Sequence, residues 1–313
     1  MWQVIVNPEA GTGAAELAWQ AQQLALEAEG FAFERVPVAQ ADDVAKVVAA
    51  RIEAEQRRWV VVGGDGTFHH VVNGVMQQTA CASHEVTLAF WSLGSGNDWV
   101  REHGLPRQAE AWRKMFLAQQ TQRQDVALIE AQTEQGAPLR RYCVNVVGLG
   151  YDAFVARYLK ENQVSNTGGL KYFASIFACL RQYQAQPLRV STPSESWEVA
   201  FYTLNAGICR YNGGGMRFVP HADPRDGLLA LSMLPDIPPW RVVINLPWLY
   251  TAWFDRHPLV TARQAAWVRY EHLGEQPVLL EADGEFLGTT PARVSVVPGA
   301  LRFVAEGDGP QVA

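Results

Sequence analysis

Cysteine is scarce and scattered. The four residues, Cys81, Cys143, Cys179 and Cys209, lie at least thirty positions apart with no CxxC pair among them. That argues against a disulfide framework or a zinc site, and leaves reduced thiols as the simpler expectation. Long hydrophobic runs are missing too. The longest uncharged apolar stretch, Val242 to Phe254, has 13 residues and contains Asn245 and Pro247, short of the about 18 that a membrane-spanning helix needs. The opening residues, MWQVIVNPEAG, have no basic n-region and no extended apolar h-region. The expectation is therefore a cytoplasmic protein without a secretory signal, at most peripheral at the inner face of a membrane. Positive charge is in deficit, 26 Lys plus Arg against 32 Asp plus Glu for a net charge of −6. This speaks against nucleic acid as a partner, because phosphate backbones are gripped by excess cations. Repeats and low-complexity tracts are absent, which removes solenoids and arrays.

What remains is a chain of 313 residues, 48% apolar and 19% charged, long enough for two domains and a substantial core. The first hundred residues alternate. Strands are expected at Trp2–Val6, Phe31–Val38, Trp59–Val62 and Val86–Trp91, and helices at Ala14–Glu29, Asp42–Arg57, Thr67–Gln78 and Asn97–His103. Such alternation implies an α/β domain with a mostly parallel sheet and right-handed crossovers. After about residue 120 the texture changes. Strand-like runs follow at Asp125–Ala131, Arg141–Val147, Trp197–Leu204, Leu228–Leu234, Val278–Ala282 and Val294–Val297, interrupted by helical patterns at Tyr151–Glu161 and Leu170–Gln184. The expected division is an α/β domain over residues 1–124, to which a tail of about 304–313 returns, and a mainly antiparallel β domain over 125–303.

Three strand-to-helix junctions carry Gly-x-Gly: Gly11-Thr12-Gly13, Gly64-Asp65-Gly66 and Gly94-Ser95-Gly96. Glycine there lets backbone N–H groups converge on an anion, and the helix that follows adds unpaired N–H groups and a positive dipole end. In a parallel sheet all three lie at the carboxyl edge, where ligands bind. A nucleotide phosphate chain fits better than any single turn would suggest. GxxxxGK[ST] does not occur, and Glu16, His69 and Trp99 stand where a dinucleotide fingerprint needs its third glycine, so a Walker-A site and hydride transfer are disfavoured. Asp65 inside a phosphate loop would repel its ligand unless Mg²⁺ stood between them, the arrangement that phosphoryl transfer uses.

Gly63-Gly64-Asp65-Gly66-Thr67 with Val71-Val72-Asn73-Gly74 resembles the nucleotide-binding motif of the diacylglycerol kinase catalytic-domain family, which includes sphingosine, ceramide and bacterial lipid kinases. Further motifs come in the family's order. They are Asn7-Pro8-Glu9-Ala10-Gly11, Leu93-Gly94-Ser95-Gly96-Asn97-Asp98-Trp99-Val100-Arg101, Gly213-Gly214-Gly215-Met216, Pro220, Ala222, Asp226-Gly227-Leu228-Leu229, Asp283-Gly284-Glu285, and Pro298 with Ala300-Leu301. The likeness runs from about residue 4 to 304. GGDGT alone is shared with NAD kinases; the ordered set is more specific.

The resemblance implies two domains facing each other across an interdomain cleft, with ATP and Mg²⁺ as cofactors and a lipid at a membrane surface as substrate. It implies ATP contacts from Asn7, Pro8, Gly11, Gly63, Gly64, Asp65, Gly66, Thr67, Ser95, Asn97 and Asp98, with Asp65 near the phosphates and the catalytic Mg²⁺. Glu285 would be the general base, and a structural Mg²⁺ would be held by the Asp226 side chain with backbone carbonyls of Asp223 and Leu228. A homodimer is compatible with the chain. Ser92 and Ser95 replace the family's usual Pro and Thr, and His70 stands where a Glu is usual. His70 and the changed loop at Ser92 motivate one alternative, a nucleotide- or lipid-binding sensor that has lost turnover. The shared GGDGT motivates another, a soluble-substrate kinase of the NAD-kinase type. From pattern alone Asp283-Gly284 also reads as a two-residue hairpin turn, Asp226 as a turn cap, and His69 and His70 as packing or hydrogen-bonding residues. The segment Pro238–Phe254, with Trp240, Trp248, Tyr250 and Trp253 among aliphatics, has two readings: a buried helix, or a face that dips into lipid headgroups.

Overall fold

The computed structural model describes residues 1–38, 40–162 and 170–306. They fall into two compact units, Met1–Asp125 with the chain from Pro298 onward, and Val126–Val297.

The first unit contains β1 (Trp2–Val6), α1 (Ala15–Ala28), β2 (Phe33–Arg35), α2 (Val44–Glu53), β3 (Arg58–Gly63), α3 (Asp65–Gln77), β4 (Thr87–Ser92), α4 (Asp98–Glu102) and α5 (Ala109–Ala118). Its strands are parallel in the order β2-β1-β3-β4, and the returning chain adds Arg302 and Phe303 beside Thr87 and Leu88 of β4. β1 is buried throughout and β3 and β4 nearly so, because helices cover both faces of a parallel sheet and β-branched runs such as Val60–Val62 fill the space between. Helix α1 turns Ala15, Trp19, Gln22 and Leu26 inward and α2 turns Val44, Val48 and Ile52 inward, the stripes that a period near 3.6 produces. Two aromatic groups complete this core. Trp112 stacks with Trp91 and Phe116, and Phe68 meets Phe90 and Trp99. The returning segment is tied in by Ser83 Oγ donating to the Ala300 carbonyl at 2.8 Å and by the Gly299 amide donating to Asp125 Oδ1 at 2.7 Å.

The second unit begins within β5 (Thr121–Gln132). It continues through β6 (Pro138–Cys143), β7 (Val146–Gly150), α6 (Tyr151–Glu161), α7 (Leu170–Gln182), β8 (Pro187–Ser191), β9 (Ser196–Gly207), β10 (Tyr211–Asn212), β11 (Met216–Arg217), β12 (Leu229–Pro235), α8 (Pro239–Asn245), β13 (Thr261–Ala265), β14 (Trp267–His272), β15 (Leu279–Ala282) and β16 (Glu285–Val304). Among the described residues its strands pair antiparallel. Two long strands change partners along their length. β9 pairs with β8 over its first half and with β7 over its second, while β16 leaves β15 at Thr289 and takes up β14 from Ala292. The circuit β7-β9-β8-β14-β16-β15 therefore closes on itself, which leaves few edges to protect. The architecture is the expected one, an α/β unit with a parallel sheet and a mainly antiparallel β unit.

Several element boundaries differ from expectation. The helix expected over 42–57 ends at Glu53, where Glu55 takes a positive φ of 66°, and its first residues form a separate short turn at Ala41–Asp43. The strand expected over 31–38 is confined to Phe33–Arg35, with one further bond from the Val36 amide to the Val4 carbonyl at 2.9 Å; Pro37 has no N–H to continue it. Asn97 precedes α4 in the left-handed region rather than beginning it. α5, β8, β13 and β14 carry no foreseen signal, and the short run Val294–Val297 belongs to a strand of 20 residues. The buried-helix reading of Pro238–Phe254 is overturned. α8 stops at Asn245, 3₁₀ turns follow at Leu246–Tyr250 and Phe254–Arg256, and Trp240, Ile244, Trp248, Tyr250 and Trp253 stay exposed. Pro247 removes an amide that a continuing helix would need. Among the described residues no helix is long and apolar enough to cross a membrane.

Close packing of α2 on α3 depends on Gly74, where a Cβ would lie 2.6 Å from both the Ala45 carbonyl oxygen and Val48 Cβ. Gly74→Val is expected to lower unfolding free energy by about 3 kcal/mol, read as a reduced urea midpoint at unchanged slope.

Candidate active site

In the first unit the turns after β1, β3 and β4 meet at the carboxyl edge of the sheet. Asn7 donates its backbone N–H to the Val62 carbonyl at 2.8 Å, and its side-chain amide reaches Thr67 Oγ1 at 3.2 Å. A Cβ on Gly11 would stand 3.5 Å from Leu93 Cβ, so the first turn rests on the third. The second and third turns approach backbone to backbone, since a Cβ on Gly94 would fall 2.7 Å from Gly64 Cα. Gly94 is thus a position where only glycine fits, and Gly11 takes a positive φ of 61° that favours glycine.

Asp65 occupies the first position of α3 and lies largely buried between these turns. Its Oδ2 accepts the Asn97 backbone N–H at 2.6 Å, and the amides of Asp98 and Trp99 also favour its charged form. A Cβ on Gly96 would come within 2.9 Å of that same oxygen. Oδ1 is buried and has no hydrogen-bond partner. Burial pushes the Asp65 carboxyl up to about 6, and the charge of Asp98 adds to the rise against the opposing pull of the three amides. Asp98 is itself buried and paired with Arg101 at 2.6 Å. Ser92 donates to Asn97 Oδ1 at 2.5 Å. The hydroxyl that departs from the usual proline thus helps fix the residue whose amide holds Asp65. His69 is buried against Asn73, with 3.2 Å between its Nε2 and the Asn73 amide nitrogen.

In the second unit Glu285 opens β16 directly after a two-residue hairpin. Asp283 and Gly284 have φ of 51° and 84°, and Ala282 pairs with Glu285. The pattern-only hairpin reading is therefore correct, and it is also what presents Glu285. The turn is held by two further acids. Asp283 accepts the Asn145 amide at 2.9 Å, the Val144 amide at 3.1 Å and the Cys143 thiol at 2.9 Å. Glu281 accepts the Gly284 amide at 2.7 Å and the Asn212 side chain at 3.3 Å. Asn212 leads into Gly213, Gly214 and Gly215, all at positive φ, so this contact ties the glycine loop to the hairpin. Burial raises the Glu281 carboxyl well above the usual range, and the nearby Asp152 raises it further. Asp152 is pushed up to about 6 by burial, opposed by hydrogen bonds from Thr203 and Asn205. The side-chain oxygens of Asn145 and Asn205 are buried without partners. Neither Asp152 nor Glu281 was anticipated. The available signal was an acid inside an apolar run, since a fully buried carboxylate is rare unless paired.

The expected nucleotide residues Asn7, Gly11, Gly63, Gly64, Asp65, Thr67, Asn97 and Asp98 thus share the carboxyl edge of one sheet. Pro8 and Ser95 are exposed on its turns, and Gly66 lies in the first turn of α3. The expected metal residues lie on an exposed turn. Asp223 caps the Arg225 amide at 3.0 Å, Asp226 Oδ1 accepts the Leu228 amide at 2.9 Å, and Asp226 Oδ2 accepts the Gln264 side chain at 3.1 Å. Among the described residues no three His, Cys, Asp or Glu side chains cluster as a metal site.

Comparison with known proteins gives this geometry its class. Residues 1–129 match the family model of the diacylglycerol kinase catalytic domain, and residues 145–305 match that of the YegS C-terminal NAD kinase beta sandwich-like domain. The chain belongs to this family, and its class is that of a lipid kinase, a phosphotransferase. It is 27% identical over 307 residues to a diacylglycerol kinase of Mycobacterium tuberculosis, covering 97% of this chain and 95% of that one. To a Pseudomonas aeruginosa protein named "Probable lipid kinase YegS-like" it is 29% identical over 260 residues, 83% of this chain and 80% of the other. A crystal structure of a diacylglycerol kinase from Bacillus anthracis has the same fold, with a TM-score of 0.70 at 18% identity and coverage of 100% and 98%. Yeast NADH kinase shares it more distantly, with a TM-score of 0.53 at 12% identity, over 98% of this chain and 83% of that one.

The buried state of Asp65 sets a pH dependence. Its folded pKa of about 6 lies above the unfolded value, so the associated stability is fully present below about pH 4 and lost as pH rises through about 6. Asp65→Asn removes this loss. The metal-free variant is expected to gain about 3 kcal/mol over wild type at pH 7.5 relative to pH 4, by urea unfolding at the two pH values. Equal differences at both would show that Asp65 is not held as described.

Proposed function

We propose that the chain transfers the γ-phosphate of ATP to a hydroxyl group of a lipid such as diacylglycerol, with Mg²⁺ required. The observation that carries this reading is Asp65, a carboxylate buried among three glycine turns with one oxygen left unpaired. An unpaired buried oxygen of this kind is costly, and a cation beside it would satisfy it. Asp65, with Asp98 close by, would hold the catalytic Mg²⁺, which when bound neutralises charge on the phosphates during transfer. The residues Asn7, Pro8, Gly11, Gly63 to Thr67, Ser95 and Asn97 would bind the nucleotide, chiefly through main-chain amides at the turns and at the start of α3.

Glu285 would act as general base. The lipid hydroxyl gives its proton to the Glu285 carboxylate as its oxygen bonds to the γ-phosphorus, the bond from that phosphorus to the bridging oxygen breaks, and ADP leaves. The rigidity that such a base needs is supplied by the Asp283 and Glu281 contacts beneath the hairpin. Asp223, Asp226 and Leu228 present carboxylate and carbonyl oxygens, donors suited to a second, structural Mg²⁺. A carboxylate has about four lone-pair sites, so the two hydrogen bonds Asp226 accepts leave room for a cation. The Ser92 contact with Asn97 supports turnover over a sensor without it, since it holds the residue whose amide meets Asp65.

A mixed-micelle screen with γ-labelled ATP, offering diacylglycerol, phosphatidylglycerol, ceramide, sphingoid bases and NAD, tests the reading. Label on a lipid is expected; label on NAD alone overturns it. Glu285→Gln is expected to lower kcat by about 10²–10⁴-fold while ATP affinity by calorimetry stays within about twofold, and wild-type turnover by that variant would refute its role. Magnesium should raise the melting temperature of the ATP-free protein. Asp226→Ala should abolish most of that rise without changing ATP affinity, and an undiminished rise would place the structural ion elsewhere.

A further inference from the structure

The segment from Pro239 to Arg256 is apolar on both of its sides. One side is accounted for: Val242 packs into a cluster with Tyr151, Val155 and Leu180, while Leu249 and Phe254 pack with Phe218. The other side is uncovered. Trp240 is 60% exposed, Ile244 65%, Tyr250 60%, Trp253 52%, and Phe177 of the neighbouring α7 is 47% exposed. Trp240, Ile244 and Trp248 recur at every fourth position, so the first two project from one face of α8 and Trp248 continues the series into the next turn. These side chains also line hollows. Phe177, Leu180, Arg181, Pro239, Trp240 and Val243 border a groove of about 510 Å³. Pro247, Trp248, Trp253 and Arg256 border another of about 400 Å³. Isolated exposed apolar residues are ordinary, whereas a concentration of tryptophans with aliphatics marks an interaction surface.

The charge around this patch selects its partner. Residues 170–186 and 237–254 contain no Asp or Glu, in a chain that has 32 of them and a net charge of −6. Asp236 and Asp255 only flank the second stretch, and Asp255 has one oxygen buried. Exposed arginines accompany the rings. The Arg256 guanidinium lies 4.3 Å over the Trp253 ring and the Arg241 guanidinium 5.4 Å over Trp240, while Arg181 lines the larger groove. Tryptophan favours the level of lipid headgroups, and arginine beside it meets anionic phosphates. We propose that the α7–α8 face, with the turns through Arg256, is a docking surface for a bilayer containing anionic lipid. The aromatic and aliphatic side chains enter the headgroup–acyl boundary while Arg181, Arg241 and Arg256 bind phosphates above it. An overall acidic chain would otherwise be repelled by such a membrane, so local removal of acids is what docking requires. The inference rests on the reading of the chain as an enzyme of lipid substrates, and it adds which face meets the membrane.

Co-sedimentation of the whole protein with vesicles, without ATP, tests it. Wild type and Glu285→Gln are both expected to bind vesicles of equal parts phosphatidylglycerol and phosphatidylcholine. The double variant Trp240→Ala/Trp253→Ala should bind about 100-fold more weakly, roughly tenfold per lost indole. Arg241→Gln/Arg256→Gln should lose about fivefold per arginine on the anionic vesicles and little on phosphatidylcholine alone. Because these side chains are exposed, melting temperatures should stay at the wild-type value, and turnover on a short-chain diacylglycerol below its aggregation concentration should be unchanged. Variants that sediment with vesicles as wild type does would overturn the proposal. So would wild-type dimers that dissociate in the tryptophan variant, since the face would then be a contact between copies. Failure of the kinase reading would show differently, as absence of lipid turnover in wild type with vesicle binding intact.

Discussion

Everything in the first unit turns on holding one carboxylate out of water between two glycine backbones. Ionised and alone, such a group would be expelled or protonated. Asp65 is kept because the Asn97 amide meets Oδ2 at 2.6 Å and the amides of Asp98 and Trp99 support it. Those amides reach it only because Gly64 and Gly94 approach with no Cβ between them and Gly96 leaves room beside Oδ2. Asn97 in turn holds its left-handed conformation with the Ser92 hydroxyl on its side chain. Strand positions, glycine positions and a single serine therefore serve the same end. Three turns separated by dozens of residues become one polar edge because parallel strands deliver their carboxyl ends to the same side.

The second unit uses acids in the same way, as receivers of main-chain amides. Asp283 gathers the bend between β6 and β7, and Glu281 gathers the hairpin's own Gly284 amide together with Asn212. A two-residue turn with both residues at positive φ fixes the register of β15 on β16, so the direction of Glu285 follows from the hairpin and not from a flexible loop. The close fit behind it is again a matter of glycine: a Cβ on Gly148 would stand 2.4 Å from Glu281 Oε1. Burial keeps Glu281 and Asp152 disposed to hold protons, which lets two acids sit near Asp283 without the full repulsion of three charges.

Much of this was legible from residue order. Alternating strand and helix signals gave the parallel sheet, and the glycine turns marked the edge where they gather, because both are local statements about backbone that few residues can satisfy. Asp283-Gly284 announced a hairpin for the same reason. The features that escaped are those set by distant chain. α5 is short and weakly patterned, and it is helical because Trp112 and Phe116 fill the aromatic cluster with Trp2 and Trp19. The length of β16 reflects two successive partners, β15 and then β14, which no window of sequence displays. Glu281 looked like one more acid beside a turn. Only the strands that bury it reveal that it is a receiver of amides. The segment after Pro238 misled because apolar content reports affinity for an apolar environment and not whether the protein itself supplies that environment.

That last distinction connects the two halves of the molecule's chemistry. Folding alone rewards pairing of buried oxygens and covering of large rings. In the first unit Asp65 Oδ1 goes unpaired among the glycine turns, in the second Asn145 Oδ1 and Asn205 Oδ1 go unpaired near the hairpin, and Trp240, Tyr250 and Trp253 go uncovered on a face whose own segment, residues 237–254, has no acid. Each is a departure from what stability would choose, and each is of the kind that a ligand repairs: a cation or a hydrogen-bond donor for the oxygens, a lipid boundary for the rings. The requirements that the fold leaves unfilled are thus polar in one place and apolar in another, and both are consistent with the proposed transfer of a phosphate to a lipid.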